Sequence, residues 1–337
     1  MSRAQIAAIA AVIAFTVLPG RTWAVTNAVV GTCKAGTQFA TIQAAVNAAS
    51  AASIVSVCPG NYPEQVSIQK NLTLKGLSPS GVGAATIVPP AAGFQVNATS
   101  SAWGSLAAQV LVQQATAVTV SNIEVDGGGQ TTCTGNFFRV GILFQGPGGV
   151  VTNTAVRNGP SCLHGIALFA DAVPSPIKFT NNSLSDCVTV CLEADFDDNL
   201  VASGNQITAL VPTFLGIDIQ SANGPTSVTG NIVTGNITYN AQVAYSSDVK
   251  MTSNSFLGGT TSSVGIYLNT VSHSTVQSNR ISGGGLALVV NDANSGGGNI
   301  VTKNVVSNEV CAMLTGTVTG DTLAPNTYFT TSATSCI

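Results

Sequence analysis

The chain has 337 residues and a formal net charge of −3, and Asp, Glu, Lys and Arg make up only 7% of it, against about 25% in an average globular domain. The scarcity of basic residues excludes a nucleic-acid partner, and the 45% apolar content excludes a disordered chain. With 35 glycines and many Ser, Thr, Asn, Val and Ala residues, the composition suits short stacked strands joined by tight turns.

In chain order, the first segment is set apart. Arg3 precedes an apolar run, Ile6 to Leu18; Pro19-Gly20 then breaks the chain, and "TWA" ends on the small residue Ala24. This predicts a secretory signal over 1–24. The run is short for a bilayer span of about 20 residues, and no other segment suits one. Loss of Arg3 and Arg21 leaves 9 basic against 14 acidic residues, a net charge of −5. The expected product is a secreted, periplasmic or cell-envelope protein with one domain over 25–337.

All 8 cysteines follow the predicted cleavage point. An even number in an exported chain predicts disulfides. Cys33 and Cys58 bracket a predicted helix. Cys311 and Cys336 are one repeat apart, and Cys133 and Cys162 precede strands of adjacent repeats. Cys187 and Cys191 remain; in an extended strand they would be about 13 Å apart, too far to bond unless the chain turns. His164 and His273 are isolated, and no cysteine spacing suits zinc.

Next comes "TIQAAVNAA" (41–49), with Ile42, Ala45, Val46 and Ala49 on one helical face. It is followed by "VSVCPGNYPEQVSIQKNLTLKG" (55–76), where alternating apolar residues flank corners at Pro59-Gly60 and Tyr62-Pro63. From there a motif recurs: an apolar residue, two residues, Asn, one residue, a second apolar residue. Its asparagines are Asn153, Asn182, Asn205, Asn231, Asn254, Asn279 and Asn304, spaced by 29, 23, 26, 23, 25 and 25. Ahead of most copies stands a small residue followed by apolar-x-apolar, as in "GILF" (141–144), "GIAL" (165–168), "GIDI" (216–219) and "GIYL" (265–268). A unit of this size holds two or three short strands and cannot bury its apolar face alone. Stacking units about 4.8 Å apart pairs each strand with its copy and stacks the asparagines into a ladder. Like charges could not stack so, which accounts for the low charge.

The pattern predicts an all-β fold: a right-handed parallel β-helix of about eight to ten coils with a short N-terminal capping helix. The cap spans about 37–60 and a C-terminal tail about 311–337. Expected inward columns are Ile142, Ile166, Val190, Ile217 and Ile266, and Val150, Phe179, Val228, Met251, Val276 and Val301. "FATIQAAVNAA…VSVCPGNYPEQVSIQKNLTLKG" (39–76) resembles the start of secreted proteins of the pectin-lyase-like superfamily, and pectinesterases in particular. The likeness spans roughly 37–310. It implies this fold but no one activity, since the superfamily holds lyases, hydrolases, esterases, epimerases and non-catalytic proteins.

The superfamily places its sites on the outer face of one strand column. By alternation the outward residues of the "GIxL" column include Phe169, Glu193, Gln220 and Asn269 in one row, and Asp218 and Tyr267 in another, with Asp171 and Asp195 one step on. Glu193 and Asp218 fall on adjacent coils offset by two residues, so their Cα atoms should lie roughly 8 Å apart. That overlaps the about 6.5–9.5 Å of inverting glycosidases. Both are candidate catalytic residues. His164 is a third, because "LHGI" resembles the Gly-His-Gly of polygalacturonases with its first Gly replaced by Leu163. Asp195, Asp171, Phe169, Gln220, Tyr267 and Asn269 are candidate ligand-binding residues. Arg157 and Lys178 are the nearest candidate bases for a lyase. The run Glu193, Asp195, Asp197 and Asp198 could hold Ca²⁺ or be a solvated turn. "ADFDD" echoes the Asp-Phe of pectinesterases, but no Gly-Arg-Pro-Trp follows.

With no complete catalytic set, the sequence favours an exported monomeric β-helix that binds extracellular or envelope polysaccharide. The alternative is a lyase-like or hydrolase-like enzyme acting on an acidic polysaccharide.

Overall fold

The computed structural model describes residues 24–337 except 79–83, 129–136, 147, 158–164, 198, 292–296, 317, 319 and 330–337. The chain winds as a right-handed parallel β-helix of about 11 turns. One 12-stranded sheet forms a side of the coil, and a 20-stranded sheet carries the other two columns. In two coils those columns merge into long strands, Gln206–Gln220 and Ile232–Ala244. Among the described residues every strand pairing is parallel except Ala98–Ser100 against Gly104–Ser105–Leu106. Among the described residues no helix is long and apolar enough to cross a membrane.

The first rung begins before the predicted cap. Strand Val25–Val30 pairs with Ala49–Val57 and with the short strand Thr37–Phe39. The helix Ile42–Ala48 closes the end of the stack, burying Ile42, Ala45 and Val46. Thr41 caps it by accepting the Ala44 N–H at 3.1 Å, and the Glu64 carboxylate accepts the N–H groups of Ile42 (2.7 Å) and Gln43 (2.8 Å). The acid next to the Tyr62-Pro63 corner therefore binds the first coil to the positive end of the helix.

Cys33 and Cys58 are bonded, with Cα atoms 5.7 Å apart. Closing a loop of separation 25 constrains the unfolded chain by roughly 3 kcal/mol. Replacing both cysteines by Ser should lower unfolding stability by about that amount. Hydrogen exchange should speed up first in the strands Val25–Val30 and Ala49–Val57; unchanged exchange there would sink the capping role. Cys187 and Cys191 are also bonded, Cα to Cα 5.2 Å. The chain makes the turn this requires: Asp186 has φ 55° and residues 188–189 bend before the strand Val190–Asp195. Cys311 is disulfide-bonded; Cys133, Cys162 and Cys336 lie outside the described residues.

The asparagine ladder runs through Asn182, Asn205, Asn231, Asn254, Asn279, Asn304 and Asn326. From Asn205 onward each side-chain oxygen accepts two bonds from the Asn one coil earlier, from its backbone N–H and its amide, at 2.9–3.0 Å. Asn153 is not a member. Its place is taken by Thr154, whose N–H donates to Asn182, while Asn153 has φ 50° and fills the left-handed position before the rung. Gly204, Gly230 and Ser253 fill that position in later coils. Asn suits both places, because its short amide tolerates left-handed backbone, so the motif aligns one residue out of step there. The same slip misplaced Val150: the core residue is Val151, paired with Phe179.

The "GIxL" column contains a second slip, of two residues. Ile142 pairs with Leu168, then Leu192, Ile217, Ala241, Ile266 and Leu288. Ile166 and Val190 instead align with Val140 and Leu215, and pack outside the coil. Alternation would place Val140 and Ile142 on one face, yet Val140 joins the outer cluster and Ile142 the core. The strand turns a corner at Gly141, where an added Cβ would come within 2.7 Å of the Ala167 carbonyl oxygen. Ala167 and Cys191 occupy the equivalent corners, so matching Gly165 to Gly141 shifted that coil.

Candidate active site

The corner turns the outer face into a cleft. One arm carries Val140, Ile166, Val190, Leu215, Tyr239 and Val264. The facing row is Leu143, Phe169, Glu193, Asp218, Gln242 and Tyr267, in direct register. Glu193 and Asp218 are thus immediate cross-strand neighbours, not offset, and their Cα atoms are about 4.8 Å apart. The next row along is Gln145, Asp171, Asp195, Gln220, Ala244 and Asn269. Asp171 and Asp195 are neighbours too, so four carboxyl groups from three coils meet on one patch.

That patch is not open surface. Glu193 and Asp218 are 0% exposed, Asp195 1% and Asp171 4%. The antiparallel hairpin of residues 98–106 roofs it. Trp103 donates its indole N–H to Glu193 Oε1 and packs edge-on against Phe138 at 4.8 Å. The Thr99 carbonyl accepts from Gln145 Nε2 (2.7 Å), which also donates to Asp171 Oδ2 (2.7 Å). Under this roof Leu106, Leu143, Phe169 and Val190 form a separate apolar cluster. The side chains expected to face solvent leave the coil as alternation requires, but a second layer covers them. Phe169 is fully buried there and offers no face to a ligand.

Burial sets the electrostatics. Removal from water pushes the Glu193 carboxyl well up, and the nearby Asp195 and Asp218 charges add to this. Asp195 is raised to about 7 by burial and by Asp218 and Asp171. Asp218 is raised to about 6, again by burial, and is partly restored by hydrogen bonds to its charged form. Those bonds come from Gln220 to Oδ2 (2.7 Å) and Gln242 to Oδ1 (3.2 Å). Glu193 Oε2 and both Asp195 oxygens make no well-formed hydrogen bond, and the two side chains lie within reach of each other, so a proton held between them relieves both. No lysine or arginine is among the groups shifting these carboxyls.

A pH dependence of stability follows. Between the unfolded value of 3.8 and the folded values of about 7 for Asp195 and about 6 for Asp218, the folded state binds more protons than the unfolded state. Stability therefore falls as pH rises through that window. Thermal unfolding should show a higher Tm near pH 5 than near pH 8. Asp195→Asn should flatten the difference; an equally steep profile in that variant would count against a shared buried proton.

Other expected residues fall elsewhere. Asp197 turns away from the patch and accepts the Val173 N–H; Asp198 and His164 lie outside the described residues. Among the described residues no three Asp, Glu, His or Cys side chains are grouped as a metal site; of the expected Ca²⁺ set, Glu193 and Asp195 share the patch, Asp197 does not, and Asp198 lies outside the described residues. Arg157 pairs with Glu124 and Asp126, and Lys178 sits on the other sheet; neither serves the patch. Tyr267 and Asn269 stay half-buried at the edge of the patch. No signal in the sequence marks Trp103, Gln242 or Tyr239, whereas Gln145 lies on the outward side of its strand as alternation requires. Trp103 lies outside the repeat, and its contact with Glu193 spans 90 residues. Gln242 belongs to a coil lacking the "GIxL" signature.

The profile of the right handed beta helix region matches residues 164–328. Among curated proteins none matches this chain. Among solved structures, DFA-IIIase from Arthrobacter chlorophenolicus A6, as mutant C387A in complex with DFA-III, superimposes with a TM-score of 0.67 at 15% identity, covering 92% of this chain and 85% of that one. The same enzyme without its lid gives 0.66 at 16% identity, covering 92% and 91%. These likenesses carry the right-handed β-helix fold and single out neither the pectin-lyase-like superfamily nor pectinesterases.

Proposed function

We propose that this protein is a carbohydrate-active enzyme that cleaves a glycosidic bond with Glu193 and Asp218. The observation that carries this reading is their direct pairing across adjacent coils in a water-poor patch whose surroundings set them apart. Glu193, held well up, keeps a proton to give to the leaving oxygen. Asp218, anchored by Gln220 and Gln242, holds negative charge more readily and attacks or stabilises the sugar carbon. Such a division between two carboxyls is what acid and nucleophile require. Their Cα spacing of about 4.8 Å favours the close carboxyl separation of about 5–5.5 Å found in retaining enzymes over the wider inverting one. The comparison with DFA-IIIase, crystallised with DFA-III, supports a sugar as the ligand class.

Because Glu193 is wholly covered, substrate reaches it only when the turn bearing Trp103 lifts. A patch of carboxyls that no lysine or arginine among the described residues offsets suits a neutral sugar better than a uronate polymer, whose own charge would add to theirs. The disulfides at Cys33–Cys58 and Cys187–Cys191 support export to an oxidising compartment. A reducing-sugar assay over neutral and acidic glycans, with absorbance of unsaturated uronides in parallel, tests the reading. Release from a neutral glycan that both Glu193→Gln and Asp218→Asn abolish is expected. Glycan binding without release, unchanged in both variants, would instead establish a non-catalytic binding protein.

A further inference from the structure

The cleft is open on only one side of the Glu193–Asp218 pair. Toward the N-terminal coils Leu143, Phe169, Leu106 and Ala98 fill it, and the Thr99–Gln145 bond closes it. Toward the C-terminal coils the same two rows are partly exposed, apart from the buried Val264. Gln242 and Tyr267 are half-buried on one row, Tyr239 is half-buried on the facing arm, and Phe214 beside it is 51% exposed. The three rings come from successive coils and follow one another: Phe214 to Tyr239 at 5.5 Å, edge to face, and Tyr239 to Tyr267 at 5.8 Å, inclined by 31°. Asn269 and Asn291, in register on the next row, are half-buried alongside.

This strip pairs ring faces with amides and carries no charge of its own. The C–H faces of a pyranose or furanose ring stack on aromatic carbon, while its hydroxyls bond to amide groups. A chain running along the helix axis meets a new ring at each coil, about every 4.8 Å. We propose that the open half of the cleft binds a linear neutral oligosaccharide over Phe214, Tyr239 and Tyr267, with its terminal sugar at Glu193 and Asp218, so that the protein acts on chain ends. The clause on chain ends rests on the cleavage reading above; the binding strip does not. A chain lying across the pair would need the volume that Phe169 and Leu143 fill, so internal bonds have no place to sit.

The test uses the full chain carrying Glu193→Gln, which binds without turnover. Calorimetric titration with cello-, xylo-, manno- and inulo-oligosaccharides, from dimers to hexamers, is compared with oligogalacturonates of the same lengths. One neutral series should bind with affinity that rises with length. Adding Tyr267→Ala or Phe214→Ala should weaken hexamer binding by about three- to tenfold, the range for one aromatic contact, and dimer binding less. The strip is overturned if no neutral series binds, if oligogalacturonates bind more tightly, or if both aromatic variants bind the hexamer unchanged. For the chain-end clause, wild-type protein acts on the matching polymer while its length is followed by size exclusion. Early small products with slowly falling polymer length support end action; an early collapse in length overturns it. Absence of any cleavage removes the cleavage reading and the chain-end clause together, while the titrations still decide the strip.

Discussion

Glu193→Gln should lower the rate of glycan cleavage by between about 10² and 10⁴, the span typical of a lost general acid. The geometry makes this variant clean. Gln has the shape of Glu and can still meet the Trp103 indole through its carbonyl oxygen. Removal of a buried carboxyl whose Oε2 makes no well-formed hydrogen bond relieves the fold. The loss should therefore appear in kcat, with Tm equal to or above that of the parent. A substrate with an activated aryl leaving group needs no proton from the protein, so Glu193→Gln should regain most of its rate on it. Asp218→Asn should not, because its role is at the sugar carbon. The double variant should be little worse than the poorer single one, since the two groups act in one step. An aryl substrate that rescues Asp218→Asn and not Glu193→Gln would reverse the assigned roles.

Asn254→Ala should cost at least about 3 kcal/mol of unfolding stability, a large effect for one small side chain. Its oxygen accepts from the Asn231 N–H and the Asn231 amide, both at 2.9 Å, and its own amide donates to the Val228 carbonyl and the Asn279 oxygen, both at 2.9 Å. All these groups are buried, and each left unsatisfied costs about 1–3 kcal/mol. Ala strands two donors in the coil before and takes the side-chain donor from the Val228 carbonyl and from the Asn279 oxygen, which keeps only the backbone N–H of residue 254. Asn326, at the C-terminal end of the same ladder, is half-buried; Asn326→Ala should cost clearly less, because water replaces its partners. Urea unfolding of both variants checks the pair. Equal losses would mean that the ladder is not what joins the middle coils.

Much of the fold is legible because it is periodic. Asn182, Asn205, Asn231, Asn254, Asn279 and Asn304 recur at one coil length since a stacked amide column needs the same residue on every rung. Ile42, Ala45 and Val46 mark the capping helix for the equally local reason of helical periodicity. Register is legible less often. Where two residue types serve two neighbouring backbone roles, as at Asn153 and Thr154, or where Ala167 fills a corner held elsewhere by Gly141, a motif cannot say which residue faces in. That ambiguity moved Glu193 two residues from Asp218 and hid their pairing.

By itself, the sequence determined the parallel β-helix, its N-terminal cap and the column on which acidic groups collect. These follow from local alternation and from chemistry repeated at a fixed spacing. The tertiary structure alone decided that Glu193, Asp195, Asp218 and Asp171 share one buried patch, and that Trp103 closes it. Burial at that patch comes from a hairpin outside the repeat, far away in the chain, and no local pattern encodes a contact between elements of different period.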